Sequence, residues 1–132
     1  MSLSILGLSG SLRAASTNTA LLRTAAELLP DDVTLTVHDY RNVPLYDDDL
    51  DAKPEGVLRL EAAVRAADGV LVAVPEYNHS VPGVLKNALD WASRPAYASV
   101  FRDKPTGVMS AATGFVGGAR GQQHLKIVLS GM

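Results

Sequence analysis

Residues 69–74 read GVLVAV and contain no polar side chain. A strand without polar alternation is buried on both faces, which is typical of the interior of a parallel sheet covered by helices. Parallel neighbours cannot be joined by tight hairpins and need long crossover connections, which are usually helices. This run therefore predicts a chain in which strands and helices alternate, an α/β architecture.

The rest of the sequence follows that alternation. Short apolar or β-branched runs predict three further strands, over residues 3–8, 34–38 and 106–109. Apolar residues at helical spacing predict four helices, over residues 18–29, 55–67, 81–92 and 119–129. The chain of 132 residues shows no internal repeat and no linker, so we expect a single domain, residues 1–132.

The composition argues against several classes of function. Lys and Arg total 12 and Asp and Glu total 14, a net charge of −2, whereas nucleic-acid-binding proteins are usually basic. Without cysteine there is no disulfide, thiolate metal site or cysteine nucleophile. No apolar run reaches membrane-spanning length, and the N-terminus lacks a signal-peptide pattern. We expect a cytoplasmic protein without a nucleic-acid or membrane partner.

The loop after the first strand, residues 9–18, is rich in groups that bind anions. It offers four hydroxyls, a carboxamide and a guanidinium at the start of a helix, where free N–H groups favour a phosphate. The Walker and Rossmann glycine patterns are absent, which favours a single terminal phosphate. Alternatively, Ser16 or Thr17 only caps this helix. Its buried face is expected to carry Leu21, Ala25 and Leu28.

The loop after the GVLVAV strand, residues 75–83, is stiffened by Pro75 and Pro82. Because the carboxyl ends of parallel strands lie at one edge of the sheet, this loop is expected beside the first. A rigid loop carrying Tyr77 and Asn78 could line a flat heteroaromatic ring. The alternative is a plain strand-to-helix connection with Pro82 in the first helical turn.

Three motifs together carry a family resemblance. They are G-S-L-R-x-x-S-x-N at residues 10–18, P-E-Y-N-H-S-V-P-G-V-L-K-N-A-L-D-W at residues 75–91, and G-x-x-G-G-A-R at residues 114–120. The chain closely resembles the NADPH-dependent FMN reductases of the flavodoxin-like superfamily, which include azo-, quinone and chromate reductases. The resemblance implies a three-layer, doubly wound parallel sheet in the order 2-1-3-4-5. Family members continue with a fifth strand and helix, which we expect to be missing after Met132.

The resemblance also implies a cofactor site for FMN. The implied phosphate contacts are Ser11, Arg13, Ser16, Thr17 and Asn18. The implied contacts to the isoalloxazine ring and ribityl chain are Pro75, Glu76, Tyr77 and Asn78, and those closing the other side are Ser110, Thr113 and Gly114. By resemblance, NADPH or NADH reduces the flavin, and a quinone, azo compound, metal oxyanion or free flavin is then reduced in a ping-pong reaction. No catalytic acid or base is implied, and members are usually homodimers or homotetramers.

Other candidates are weaker. The acidic run at residues 47–51 lacks the spacing of a calcium loop and is more typical of a solvated turn than of a metal site. Asp39 ends the second strand, where a Rossmann acid would bind ribose, but the glycine fingerprint is missing. His79 could contact substrate or lie free on the surface, and Trp91 is expected in the core. Three alternative functions stay open: an electron carrier or flavin-binding module, an inactive fragment, and a Rossmann-type dehydrogenase.

Overall fold

The computed structural model describes every residue from Met1 to Met132. Its elements alternate as predicted, in the order β1 (Leu3–Ser9), α1 (Thr17–Glu27), β2 (Val33–Val37), α2 (Glu55–Ala66), β3 (Gly69–Ala73), α3 (Gly83–Ala92), β4 (Thr106–Met109) and α4 (Ala119–Ser130). No helix is both long enough and apolar enough to cross a membrane.

The four strands form one parallel sheet in the order β2-β1-β3-β4. This confirms the predicted flavodoxin-like order for the strands present. The register places Ser9 of β1 beside Ala73 of β3, and Ala73 beside Met109 of β4. Three strands therefore end at the same level, and the loops that follow them begin side by side at the carboxyl edge of the sheet.

One face of the sheet forms the main hydrophobic core. Alternate residues of β1 and β3 point to this face, because successive side chains of a strand point in opposite directions. They pack against apolar side chains of α2, α3 and α4; the cluster includes Leu8, Val72, Leu60, Leu85, Leu89 and Leu125, all at most 1% exposed. The GVLVAV run is buried as predicted, except that Leu71 is only partly covered.

Helix α1 covers the opposite face and completes the third layer. Its fully buried apolar residue is Leu22, which lies over Gly7 of β1. The predicted buried face of Leu21, Ala25 and Leu28 is therefore wrong in part: Leu21 and Ala25 are half-buried, and Leu28 is 80% exposed. Helical spacing is compatible with two overlapping apolar stripes on α1, one through Leu21 and Leu28 and one through Leu22. The stripe through Leu22 is the one that packs against β1, at Gly7.

Helix α3 begins two residues later than predicted. Val81 precedes a proline, and a residue in that position is disfavoured in the helical conformation. Pro82 itself is extended, with ψ 140°, and occupies the N-cap position rather than the first turn. The loop that follows β3 thus continues to Pro82, which lengthens the segment at the carboxyl edge of the sheet.

Glycine at position 10 allows β1 and β3 to approach each other where they end. Its N–H continues the ladder by donating to the carbonyl of Ala73 at 2.8 Å. A Cβ at this position would lie 2.7 Å from Cδ of Pro75 and 3.3 Å from the carbonyl oxygen of Ala73. Neither group can move freely, since one belongs to a rigid ring and the other to the sheet.

We expect Gly10→Ala to lower the free energy of unfolding by about 1–3 kcal/mol, the usual effect of overpacking. Gly83→Ala is the matched control, because a Cβ there meets nothing within 4 Å. That control should be neutral or stabilise the fold by up to about 1 kcal/mol. Urea unfolding of the two variants checks this, and equal effects would contradict the close approach at position 10.

Candidate functional site

Three loops form the candidate site: the β1–α1 loop (residues 10–16), the β3–α3 loop (residues 74–82) and the β4–α4 loop (residues 110–118). They contain or adjoin all twelve residues predicted from the sequence. Because β1, β3 and β4 end in register, the three loops emerge from neighbouring strands. The structure therefore brings the predicted residues together at one edge, as expected for ligand sites of open α/β sheets.

Hydroxyl groups hold the β1–α1 loop in shape. Thr19 Oγ1 donates to Ser9 Oγ at 2.7 Å, and Ser9 Oγ in turn donates to the carbonyl of Ser11 at 3.2 Å. Ser16 is the N-cap of α1, because its Oγ accepts from the N–H of Thr19 at 3.3 Å. Ser9 and Thr19 were not predicted as site residues; their only signal was the density of hydroxyls around this loop.

The start of α1 is suited to an anion. The backbone N–H groups of Thr17 and Asn18 have no acceptor in the protein, and the first turn carries no acidic side chain. Arg13 is exposed and forms no ion pair with any carboxylate. Free N–H donors, the positive end of the helix dipole and an unpaired guanidinium together fit a phosphate monoester.

Asn18 ties the β1–α1 loop to the β4–α4 loop. Its Oδ1 accepts from the N–H of Ala111 and its Nδ2 donates to the carbonyl of Ala111, both at 3.0 Å. The side chain is buried, and both ends of its amide are occupied by this backbone. A contact between this amide and a phosphate stays a prediction, whereas its backbone N–H remains free for one.

Tyr77 ties the β1–α1 loop to the β3–α3 loop, since its hydroxyl donates to Ser11 Oγ at 3.1 Å. The next residues form a tight turn in which Tyr77 and Ser80 exchange two backbone hydrogen bonds of 3.0 Å. Asn78 and His79 occupy its centre with φ of 49° and 68°. Both central residues with positive φ match a type I′ turn, for which asparagine is well suited. His79 is exposed on this turn.

Glu76 joins the β3–α3 loop to the start of α4. Its Oε2 accepts from the N–H of Arg120 at 3.1 Å, and its Oε1 accepts from Arg120 Nε at 2.5 Å. Burial acts to raise the pKa of Glu76, but the hydrogen bonds from the side chain and backbone of Arg120 outweigh it and lower that pKa. The carboxylate is therefore ionised at neutral pH and caps the N-terminus of α4.

The β4–α4 loop folds around Ser110. Its Oγ donates to the carbonyl of Gly117 at 2.7 Å and accepts from Gln122 Nε2 at 2.6 Å. Gly118 has φ +81°, and a Cβ there would lie 2.6 Å from Ser110 Oγ, so glycine is required. Thr113 and Gly114 stand exposed at the tip of this loop.

Tyr40 is a buried support that the sequence did not reveal. It lies after β2 and donates its hydroxyl to the carbonyl of Ser9 at 2.5 Å. Burial raises the pKa of Tyr40 far above its ordinary value, so it remains a donor at every physiological pH. This hydrogen bond fixes Ser9, the last residue of β1, where the β1–α1 loop begins.

The other candidates take structural roles or none. Asp47 and Asp48 accept hydrogen bonds from the N–H of Asp49 and the hydroxyl of Tyr46, so the acidic run folds as a turn. No group of three or more His, Cys, Asp or Glu side chains is placed to hold a metal ion. Trp91 is buried, as predicted, and its Nε1 donates to the carbonyl of Pro44 at 2.9 Å.

Comparison with known proteins gives consistent matches. The profile of the NADPH-dependent FMN reductase family matches residues 3–132. An NAD(P)H-dependent FMN reductase of Pseudomonas aeruginosa is 46% identical over 127 residues, covering 95% of this chain and 68% of the relative. A 2-hydroxy-1,4-benzoquinone reductase of Burkholderia is 43% identical over 127 residues, covering 96% of this chain and 69% of the relative.

A solved structure agrees with these relatives. The flavoenzyme FerB of Paracoccus denitrificans, an NAD(P)H:(acceptor) oxidoreductase, superposes with a TM-score of 0.90 at 38% identity. The match covers 97% of this chain and 71% of FerB. The chain thus spans about seven-tenths of each of these three proteins.

The ion pair between Glu76 and Arg120 makes a prediction about pH. Because the pKa of Glu76 is lowered in the folded state, its contribution to stability is present above the ordinary value of 4.5 and is lost as the pH falls through the folded pKa. We expect Glu76→Gln to lower the melting temperature at pH 7, and the difference from the parent chain to narrow below about pH 4.5.

Glu55→Gln is the matched control, because Glu55 pairs with Arg59 in an exposed i,i+4 arrangement on α2. Such pairs contribute little to stability. Thermal melts of the three chains at several pH values make the comparison. A pH-independent effect of Glu76→Gln would show that the charge of Glu76 is unimportant.

Proposed function

Because the chain belongs to the NADPH-dependent FMN reductase family, we propose that it is an FMN-dependent NAD(P)H oxidoreductase whose electron acceptor is a quinone. The observation that carries the proposal is the joining of three loops into one site. Ser11–Tyr77 and Asn18–Ala111 hydrogen bonds hold the phosphate-type loop against the two loops that would flank a ring. Such a preorganised cradle binds a rigid cofactor with little further ordering.

The phosphate end of FMN is assigned to Ser11, Arg13, Ser16, Thr17 and Asn18. The free N–H groups of Thr17 and Asn18 and the unpaired guanidinium of Arg13 support this assignment. Ser11 and Ser16 already accept hydrogen bonds from Arg13 and Thr19 N–H groups, so their hydroxyl protons stay available to donate. The site thus offers several donors to a dianion and presents no carboxylate from the first turn.

The ring and ribityl chain are assigned to Pro75, Glu76, Tyr77 and Asn78 on one side and to Ser110, Thr113 and Gly114 on the other. Pro75 is buried and stiff, which suits a wall of the site. Glu76 serves in this assignment through its backbone, since its carboxylate is engaged with Arg120. The exposed tip at Thr113 and Gly114 leaves the site open to solvent and to a second reactant.

FMN, when bound, would supply the two-electron chemistry between NAD(P)H and an oxidised acceptor. The protein binds the cofactor, orients it and surrounds it with backbone donors. We assign no side chain as a catalytic acid or base. Tyr77 is held as a hydrogen-bond donor to Ser11, and Glu76 is kept ionised by Arg120, so neither is placed to exchange a proton freely.

The choice of acceptor rests on the relatives. The Burkholderia relative is named for reduction of 2-hydroxy-1,4-benzoquinone, and a relative from Escherichia coli, 39% identical over 131 residues, is named a quinone reductase. We therefore propose quinones ahead of azo compounds, metal oxyanions and free flavin. A flat quinone would fit the side of the site that the exposed Thr113 and Gly114 leave open to solvent.

We further propose a homodimer or homotetramer in the cytoplasm, where reduced pyridine nucleotides are available. Exposed apolar side chains near the site support self-association: Phe115 is fully exposed on the β4–α4 loop, and the neighbouring Val116 is also exposed. Residues of this kind are enriched at protein interfaces. Sedimentation velocity with and without FMN tests the assembly, and a monomer under both conditions would refute it.

The decisive experiment follows the visible spectrum of the FMN-loaded chain in anaerobic buffer. Addition of NADPH should bleach the flavin absorbance, and addition of a benzoquinone should restore it. A shifted spectrum that NADPH leaves unchanged would indicate a flavin-binding module instead. A spectrum identical to that of free FMN would refute the assignment of the site.

Arg13→Ala should weaken FMN binding about tenfold or more, because a charge-assisted contact to the phosphate is lost. Riboflavin lacks the phosphate and is the matched control ligand, so its affinity should be the same for the parent chain and the variant. Quenching of flavin fluorescence measures both dissociation constants. An equal loss for the two flavins would show that Arg13 supports the fold of the loop and does not bind phosphate.

A further inference from the structure

A second cavity lies beside the β1–α1 loop, between this loop and the end of β2. It has a volume of about 230 Å³ and is partly enclosed. Its polar lining includes Ser11 and Arg13, which are assigned to the FMN phosphate, together with Arg23 of α1 and with His38, Asp39 and Arg41 after β2. Arg23 and Arg41 belong to neither end of the proposed flavin site.

The charge of this cavity is positive, although the whole chain carries −2. Arg23, like Arg13, forms no ion pair, and Arg41 pairs with Asp39 at 2.7 Å. The backbone N–H and guanidinium of Arg41 hold the pKa of Asp39 below its usual range, so Asp39 is ionised. Burial lowers the pKa of His38, which is therefore neutral at pH 7. Beyond Arg13, which is assigned to the FMN phosphate, two guanidiniums face one carboxylate, and Arg23 is left free to bind an added anion.

An apolar groove of about 360 Å³ adjoins the cavity and shares Leu12, Tyr40 and Arg41 with it. Its other walls include Val43, Leu45, Gly83 and Val84. Gly83 and Val84 begin α3, directly after the loop assigned to the ring. The groove thus joins the start of α3 to the cationic cavity. Leu45 is 84% exposed, and no protein segment covers it.

We propose that this groove and cavity bind the adenosine 2′-phosphate end of NADPH, with adenine against Leu12, Leu45 and Val84 and the phosphate between Arg23 and Arg41. The inference rests on the proposed function. An apolar wall followed by guanidiniums matches an aromatic base followed by a phosphate monoester. That phosphate is the only chemical difference between NADPH and NADH. The residues that would discriminate the two nucleotides are accordingly Arg23 and Arg41, which belong to neither end of the FMN site, although the cavity borders that site at Ser11 and Arg13.

The test is calorimetric titration of the FMN-loaded chain with 2′,5′-ADP, 3′,5′-ADP and 5′-AMP. We expect 2′,5′-ADP to bind at least about tenfold more tightly than 5′-AMP, the effect of one charge-assisted contact. Arg23→Ala should weaken 2′,5′-ADP about tenfold, leave 5′-AMP unchanged and raise the KM for NADPH toward that for NADH. Arg23→Lys should retain part of the affinity, because it keeps the charge.

Arg102→Ala is the matched control, since Arg102 is an exposed arginine far along the chain that lines neither the groove nor the cavity. Arg102→Ala should leave the dissociation constants of all three nucleotides unchanged. Equal binding of 2′,5′-ADP and 5′-AMP, tighter binding of 3′,5′-ADP, or equal effects of the two alanine variants would overturn the proposal. The flavin dissociation constant, measured on the same samples, reports separately on the proposed function. If Arg23→Ala leaves the flavin dissociation constant unchanged and the nucleotides bind with equal affinity, the proposed 2′-phosphate site is refuted while the proposed flavin site is not.

Discussion

The register that places Ser9, Ala73 and Met109 side by side is the constraint on which the functional edge depends. Parallel pairing aligns three strand ends, so three loops far apart in sequence start at one level. The pairing of β1 with β3 continues one residue past the strand, through Gly10 to Ala73. Only glycine allows this approach, because any Cβ would meet Pro75 and the backbone. The cradle is thus a consequence of how two central strands end.

Side-chain hydrogen bonds then connect the loops to one another. Ser11–Tyr77, Asn18–Ala111 and Glu76–Arg120 join positions 66, 93 and 44 residues apart. Each link uses a partner supplied by a different strand-to-helix connection, so the loops hold shape together and not singly. The conformational entropy of these loops is already lost when the chain folds, so less entropy would be lost when a cofactor binds. The two sides of this edge differ in charge. Unpaired guanidiniums lie on the β1–β2 side, whereas the β3–β4 side carries the Glu76–Arg120 ion pair.

Much of the architecture could be predicted from local signals. The GVLVAV run and the alternation of apolar periods predicted the elements. The family resemblance carried by the loop motifs implied the strand order, and the FMN contacts that it implied stay predictions. The predictions were wrong where the local sequence pattern was compatible with two different structures. Helix α1 has two overlapping apolar stripes, and the sheet surface beside Gly7 selected Leu22 instead of Leu28. Pro82 was compatible with the first turn of α3 or with its N-cap, and the restriction on Val81 favoured the later start.

The sequence by itself determined the α/β alternation, the concentration of hydroxyl and cationic groups in residues 9–18 and the stiffness of residues 75–83. These follow from residue type and spacing, which act within a few residues along the chain. The tertiary structure alone decided that the Asn18 amide bonds to the backbone of Ala111, that Glu76 caps α4, and that Tyr40, which follows β2, bonds to the carbonyl of Ser9. It also decided that Arg13, Arg23 and Arg41 share one cavity. Such contacts depend on strand register and crossover geometry, which no local pattern encodes.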